Sequence, residues 1–340
     1  MKIKYYVAIL YIITQASNAI QTESCYNPEK IDVANDVVKI GAINHFFSKF
    51  TEPIKDSRLI PLTKNYSTVA QNENADVNIY SVFVKKINRG KNFCQKGVSI
   101  FITDESFTAN PDFYNLTMGF DHIAHHRYIR YPLYYEYFRE KVDPEYIRLG
   151  SCKDHKKYFA CFLVSNGNPD NEHIDPLQRN FDGIIARDEL FIKLSQYKFV
   201  ASGGKHLNNI GRIVPAKETN AWLSDCKFII AFENETKDGY TTEKVFQAYY
   251  AGGVPLYYGN KLYEKDLNPK SVIYANNFQN LDKMIEYIKN VDKNDKLYCD
   301  IWNERIITKN HISYKQLQQN LLEKYQQLIF PLLPNKRPKK

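Results

Sequence analysis

Six short apolar runs punctuate the chain: VVKIGAI (37–43), VNIYSVFV (77–84), GVSIFIT (97–103), YFACFLV (158–164), KFIIAF (227–232) and VPLYYG (254–259). They are close to continuously apolar rather than alternating, the pattern of strands covered on both faces of a parallel sheet. Between them, apolar residues recur at helical spacing. Arg187–Gln196 sets Leu190, Phe191 and Leu194 on one face. Thr242–Ala251 carries Val245, Ala248 and Tyr249 and stops at Gly252. Leu281–Val291 repeats Leu281, Met284, Ile285 and Ile288, and Leu317–Ile329 runs up to Pro331. Strands alternating with helices predict an α/β fold. The runs fall into two groups, divided near the charged stretch EKVDPEYIRLGSCKDHKK (140–157). The expected division is a first domain over 20–150 and a second over 151–335 that includes the late amphipathic helix, with a cleft between them and a basic tail at 336–340.

Composition narrows this only slightly. With 340 residues, 44% hydrophobic and 25% charged, the chain has ample material for two cores. Part of the net charge of +8 sits in Lys336, Arg337, Lys339 and Lys340, which reads as a solvated end or a weak attraction to an anionic surface. No stripe of basic and aromatic residues and no zinc spacing is present, so nucleic acid is not an expected partner. Residues 1–19 pair two early lysines with the apolar YYVAILYII (5–13) and a Ser17-Asn18-Ala19 step. That resembles a short secretory signal or a membrane-associating end, and it is too short for a span of about 20 residues. Cys25, Cys94, Cys152, Cys161, Cys226 and Cys299 show no metal-ligand spacing. Cys161 and Cys226 lie in or beside strand-like runs and read as buried thiols, with one or two disulfides expected if the chain is exported.

The stretch FENETKDGYTTEKVFQAYYAGGVPLYYGN (232–260) holds the candidate chemistry. A buried run empties into Glu233, Asn234, Tyr240, Glu243 and Lys244, and a helix capped by Thr241 or Thr242 begins among them. In a doubly wound sheet, strand C-terminal ends are where ligands bind. A helix N-terminus favours anions, Lys244 adds a point charge for phosphate, Glu243 suits sugar hydroxyls, and Tyr240 can stack on a base. The group reads as a nucleotide-diphosphate site with no glycine-rich phosphate loop. The plainer alternative is that Glu243 and Lys244 only cap and solvate a helix.

F-E-N, then T-E-K, then A-G-x-V-P and a glycine is similar to the signature block of the α1,3-fucosyltransferases, glycosyltransferase family 10. LSQYKFVASGGKHLNN (194–209), ADVNIYSVF (75–83) and GFDHIAHHRYIRYPLYY (119–135) resemble other segments of that family, so the resemblance covers about residues 75–290. It implies a GT-B fold of two Rossmann-like domains facing a central cleft. It also implies inverting transfer of L-fucose from GDP-β-L-fucose to a glycan bearing N-acetylglucosamine or glucose. Arg187, Asn234, Glu233, Tyr240, Glu243 and Lys244 would bind the donor, and Ser202, Gly203 and Gly204 would form a turn on the donor side. Arg179, just upstream, competes with Arg187 for the role of second cation.

Inversion needs a base on the face opposite the leaving group. GVSIFITDESF places Asp104 and Glu105 directly after a strand, and the family register counted back from Asp121 selects Glu105, with Asp104 as runner-up. His122, His125 and His126 read as an acceptor-side loop rather than metal ligands. No D-x-D occurs, so no metal or other cofactor is expected to be required, with Mn or Mg at most stimulatory. The alternatives are a GT-B transferase for another nucleotide sugar, or a silent glycan- or nucleotide-binding protein on the same scaffold. The implied location is membrane-associated or secretory: the Golgi lumen in a eukaryote, the cytosolic membrane face in a bacterium. The sequons at Asn65 and Asn115 fit the former, and the one at Asn234 falls in the donor site.

Overall fold

The computed structural model describes residues 24–30, 37–43, 55–71, 75–82, 94, 96–165, 167 and 182–333. The described chain divides into two compact units. The first holds the residues up to Pro132 and from Lys315 onward, and the second runs from Leu133 to Tyr314.

The first unit contains β1 (Val37–Ile43), α1 (Ile60–Asn65), β2 (Ser67–Ala70), β3 (Val77–Tyr80), β4 (Val98–Ile102), β5 (Leu116–Gly119) and β6 (Tyr128–Arg130). All its strand pairs are parallel, in the order β2-β1-β3-β4-β5-β6. Val77, Ile79, Val98 and Ile100 are fully buried, as expected of strands covered on both faces.

The second unit contains α2 (Leu133–Phe138), β7 (Tyr158–Phe162), α3 (Asp182–Ser195), β8 (Val200–Ser202), α4 (Thr219–Ser224), β9 (Cys226–Phe232), α5 (Glu243–Tyr250), β10 (Val254–Tyr258), β11 (Ile273–Tyr274), α6 (Leu281–Lys293) and α7 (Asp295–Trp302). Its sheet is also parallel, in the order β11-β10-β9-β7-β8. The chain goes from β7 outward to β8, then returns to the other side of β7 to lay down β9. The β7/β9 neighbourhood is therefore the topological switch point, where ligands bind beyond the strand C-termini. Leu190 and Leu194 of α3 and Met284 and Ile288 of α6 are fully buried, so the helical spacing read from sequence marks true core faces.

Three expectations are corrected. The late helix, α8 (Tyr314–Leu328), belongs with the first unit apart from its first residue, not with the second. Its stripe of Leu317, Leu321 and Tyr325 is buried, the Tyr325 hydroxyl donates to the Arg58 carbonyl at 2.9 Å, and Gln318 donates to the Tyr131 hydroxyl at 2.8 Å. An amphipathic stripe announces a buried face without saying what covers it. The boundary also lies at Pro132–Leu133 rather than at 150. The charged stretch 140–157 misleads because Arg148 is an internal residue of the second unit. Its guanidinium lies between the rings of Tyr249 and Trp302, 4.1 and 4.0 Å from their centroids, and donates to the carbonyls of Tyr249, Gly253 and Trp302. A planar, weakly hydrated cation tolerates that burial, which still pulls its pKa down to about 10.

Third, Cys161 and Cys226 are a disulfide rather than buried thiols. Cys25–Cys94 and Cys152–Cys299 use the other four cysteines. The 147-residue separation closed by Cys152–Cys299 gives it the largest effect on the unfolded chain, on the order of 2–5 kcal/mol. The sequons fare less well. Asn115 is 2% exposed and its amide nitrogen donates to the Asn27 carbonyl at 2.6 Å, so it cannot carry a glycan in the folded unit. The Asn65 amide is likewise engaged, at 2.6 Å from the Pro61 carbonyl. The signal-like segment 1–19, the basic tail 336–340 and Arg179 lie outside the described residues. No described helix is long and apolar enough to cross a membrane.

Asp292 of α6 ties three elements together. It is 4% exposed and accepts from Lys198 at 2.5 Å, Tyr197 at 2.9 Å and Lys227 at 3.1 Å. Burial pushes its carboxyl up, but these donors outweigh burial and hold it below the ordinary 3.8. A depressed folded-state pKa adds stability above the unfolded value and loses it as pH falls through the folded one. Both tryptophans, Trp222 and Trp302, lie in the second unit, so their fluorescence reports its unfolding. Asp292→Ala is expected to cost about 2–4 kcal/mol in urea unfolding at pH 7, with the deficit shrinking below pH 4 or so.

Candidate functional site

β9 delivers Glu233 to the switch point. Its N–H donates to the Tyr258 carbonyl at 2.8 Å, extending the ladder with β10 by one residue. The side chain then turns inward and is fully buried. Gly259 makes room for it: with φ +150, a Cβ there would lie 2.6 Å from Glu233 Cγ.

The Glu233 carboxylate joins the strand end to the start of α5. It accepts from the Thr242 N–H and the Thr242 hydroxyl, both at 2.7 Å, and from Lys244 Nζ at 3.1 Å. Thr242, in extended conformation, is the N-cap, and its Oγ1 accepts from the Lys244 N–H at 3.4 Å. Thr241 is committed elsewhere. Its hydroxyl donates to buried Asp266 at 2.7 Å. Burial raises the Glu233 carboxyl, while Lys244 and Thr242 pull it back part of the way. Burial alone would lower the Lys244 ammonium, but Glu233 overrides that and raises it. The side chain of Lys244 is 28% exposed and that of Glu233 0%, so of the pair only Lys244 is partly open to solvent.

Arg187 arrives from α3. It is 3% exposed, donates through Nη1 to Asn234 Oδ1 at 3.3 Å, and has Asp188 Oδ1 3.8 Å from Nε. Burial lowers its pKa, and Asp188 offsets that in part. Arg187 and Lys244 are near enough for the arginine to depress the lysine. Two cations repelling one another beside a helix N-terminus lose that repulsion when an anion binds. Glu243, half-buried, is the first residue of α5.

Four of the residues read from sequence, Arg187, Asn234, Glu233 and Lys244, are thus brought together, though not all in the expected roles. Glu233 cannot touch a ligand with its carboxylate, because it is fully enclosed by Thr242 and Lys244. It positions Lys244 instead. Tyr240 is 2% exposed, so its ring is packed rather than presented for stacking. Ser202 and Gly203, expected in a turn on the donor side, are tied down through their backbone. Their N–H groups donate to Asn209 Oδ1 at 2.7 Å and the Phe162 carbonyl at 3.0 Å, and a Cβ on Gly203 would meet Val214 at 2.6 Å. Those glycines serve close packing, and Gly204 is buried beside them.

Asn260 and Asp266 escaped the sequence reading. Asn260 Oδ1 accepts from the N–H groups of Gly239 and Leu262, both at 2.8 Å. Its Nδ2 donates to Thr241 Oγ1 and Asp266, both at 3.0 Å. This buried network fixes the turn into α5. The only sequence signal was an asparagine directly after a glycine at a strand end.

In the first unit, Asp104 and Glu105 follow β4 after Thr103. Asp104 is locked: Arg58, 2% exposed, donates to it at 2.5 and 3.4 Å and to Asp56 at 2.9 and 2.8 Å. Burial would lower the Arg58 pKa, but the two carboxylates raise it well above the ordinary value. Glu105 lies one residue beyond in a tight turn, its N–H bonded to Thr103 Oγ1 at 3.1 Å and its carbonyl accepting from Phe107 N–H at 2.7 Å. His125, in the histidine-rich loop, pairs with Asp112 at 3.3 Å.

The model described as glycosyltransferase family 10 (fucosyltransferase), C-terminal, matches residues 153–327. The chain belongs to glycosyltransferase family 10. A second model, the α-(1,3)-fucosyltransferase FucT N-terminal domain, matches residues 44–137 of this family 10 chain. The α-(1,3)-fucosyltransferase FucT of Helicobacter pylori is 29% identical over 287 residues, 78% of this chain and 60% of that protein. The 4-galactosyl-N-acetylglucosaminide 3-α-L-fucosyltransferase 9 of Mus musculus is 30% identical over 152 residues, 44% of this chain and 38% of that one. The chain therefore spans less than two thirds of the length of these relatives. A crystal structure of an α1,3-fucosyltransferase superposes with TM-score 0.67 at 23% identity, covering 89% of this chain and 93% of that one. One with GDP-fucose superposes with TM-score 0.62 at 21% identity, covering 92% and 96%. With two parallel α/β units and these likenesses, the family 10 chain has the GT-B fold.

Asn260→Ala removes all four bonds, leaving the buried Gly239 N–H without this acceptor and Asp266 with one donor fewer. It is expected to destabilise the second unit by about 2–4 kcal/mol and to speed amide exchange at Gly239 and Leu262, read by urea unfolding and hydrogen–deuterium exchange.

Proposed function

We propose that this chain is an inverting α1,3-fucosyltransferase, moving L-fucose from GDP-β-L-fucose to a hydroxyl of an N-acetylglucosamine- or glucose-containing glycan. The observation that carries the reading is the arrangement of Lys244, held by buried Glu233 at the N-terminus of α5, with Arg187 on Asn234. It is a preorganised cationic site for a departing diphosphate. Family membership and the fold support the same reading.

In the proposed reaction the Glu105 carboxylate takes the proton of the acceptor hydroxyl. The oxygen attacks fucose C1 on the face opposite the nucleotide. The bond from C1 to the β-phosphate oxygen breaks, and GDP leaves with the electron pair, its added charge taken by Lys244, Arg187 and the N–H groups opening α5. Asp104 is the weaker candidate for the base because both its oxygens are already engaged by the Arg58 guanidinium. Glu243 would meet ribose hydroxyls, and Tyr240 would shape the base pocket from behind. The proposal requires no cofactor; Mn or Mg would add to this charge neutralisation rather than replace it.

Pairing of all six cysteines supports an oxidising compartment of the secretory pathway over the cytosolic face of a bacterial membrane, with membrane association, if any, through residues 1–19. The disulfides now carry that inference in place of the sequons.

Transfer from GDP-fucose to N-acetyllactosamine tests the reading. Glu105→Gln is expected to lose at least about 10²-fold in kcat while GDP affinity stays unchanged. Asp104→Asn is expected to lose stability first, with kcat falling less. Wild-type protein that binds no GDP, or a Glu105→Gln variant with full activity, would sink the assignment.

A further inference from the structure

Asp182, at the start of α3, lies in no sequence pattern and has no counterpart in the chemistry above. Among its partners in the described residues, its carboxylate receives donors from the loop after β9 and from β10. The Thr236 N–H donates to Oδ1 at 2.7 Å, the Thr236 hydroxyl to Oδ2 at 2.5 Å, and the Tyr258 hydroxyl to Oδ2 at 2.8 Å. The next two residues complete the join. A Cβ on Gly183 would lie 3.0 Å from the carbonyl carbons of both Glu233 and Asn234, so only glycine lets α3 abut that peptide. The Ile184 N–H then donates to the Asn234 carbonyl at 3.2 Å. Tyr258, the third donor, stacks on Phe232 with centroids 5.3 Å apart.

The first turn of α3 is therefore bolted to the loop leaving β9. One turn further along the same helix, Arg187 reaches Asn234 Oδ1. Arg187 and Asn234 sit 47 residues apart in sequence, and their contact at 3.3 Å is marginal by itself. The anchor behind it is not. We propose that Asp182 is a positioning residue, a clamp that sets the spacing of Arg187 and Asn234 for the diphosphate of a nucleotide sugar. Such preorganisation matters because small displacements of charged groups cost binding and rate steeply. The proposal rests on the donor-site reading above.

The test is GDP binding by calorimetry for the full chain and for Asp182→Ala, Asp182→Asn and Thr236→Val, each with its melting temperature. Asparagine keeps an acceptor for the Thr236 N–H and offers a donor to the two hydroxyls, which can reverse their roles. GDP affinity is expected to fall at least tenfold in Asp182→Ala, about three- to tenfold in Thr236→Val, and less than threefold in Asp182→Asn. Amides 233–237 should exchange faster in the alanine variant alone. A merely structural residue would instead make affinity track melting temperature across all three variants, and that result overturns the clamp. So does a folded Asp182→Ala that binds GDP as the wild type does. If Asp182→Ala does not fold, Thr236→Val decides: unchanged affinity there overturns the proposal. Failure of the wild type to bind GDP removes the donor site and the clamp together.

Discussion

One buried carboxylate organises the second unit. Glu233 is fully desolvated at the end of a core strand, a placement that would cost several kcal/mol were it unpaired. Its oxygens are satisfied by the N–H and hydroxyl of Thr242 and by the ammonium of Lys244. The bonds to Thr242 fix where α5 begins, and the bond to Lys244 fixes where its cation stands. Gly259 is glycine because this side chain needs the space. Thr241, released from capping, goes to the Asn260–Asp266 network that shapes the preceding turn. The strand end, helix start and charge placement follow from a single buried group.

In the proposed donor site, both cations are engaged by neighbouring carboxylate or amide groups. Lys244 is held by Glu233, and Arg187 lies 3.3 Å from Asn234 and 3.8 Å from Asp188. Neither has to give up much side-chain freedom on binding, which is the usual entropic cost of a long cationic side chain. Their mutual repulsion is relieved by an anion. In the first unit, Arg58 holds Asp104, and Glu105 follows one residue beyond that ion pair.

Much of this was legible in sequence, for identifiable reasons. The longer buried strands announce themselves as continuous apolar runs, and helices such as α3, α5 and α6 because burial of one face imposes a period. The strands β2, β5, β6, β8 and β11 are two to four residues long and leave no period to read. The polar burst after β9 was legible as a site because buried strands rarely end in several charged groups. Which of them faces a ligand was not. Glu233 and Lys244 both read as polar groups of the same burst, and only the fold shows that one supports the other. Arg148 misled because a charged residue reads as surface, and its sandwich between Tyr249 and Trp302 joins residues far apart in the chain. Cys161 and Cys226 misled because apolar neighbours suit a thiol and a disulfide equally well.

The central claim is that Glu233 acts on the ligand only through Lys244. A double-mutant cycle on GDP affinity measures this directly, using Glu233→Gln, Lys244→Met and the double variant in calorimetry. The account predicts strong non-additivity. Glu233→Gln should weaken GDP binding nearly as much as Lys244→Met, and the double variant should be little worse than either, with a coupling of about 1.5 kcal/mol or more. Additive losses, or a Glu233→Gln variant that binds GDP as the wild type does, would contradict it.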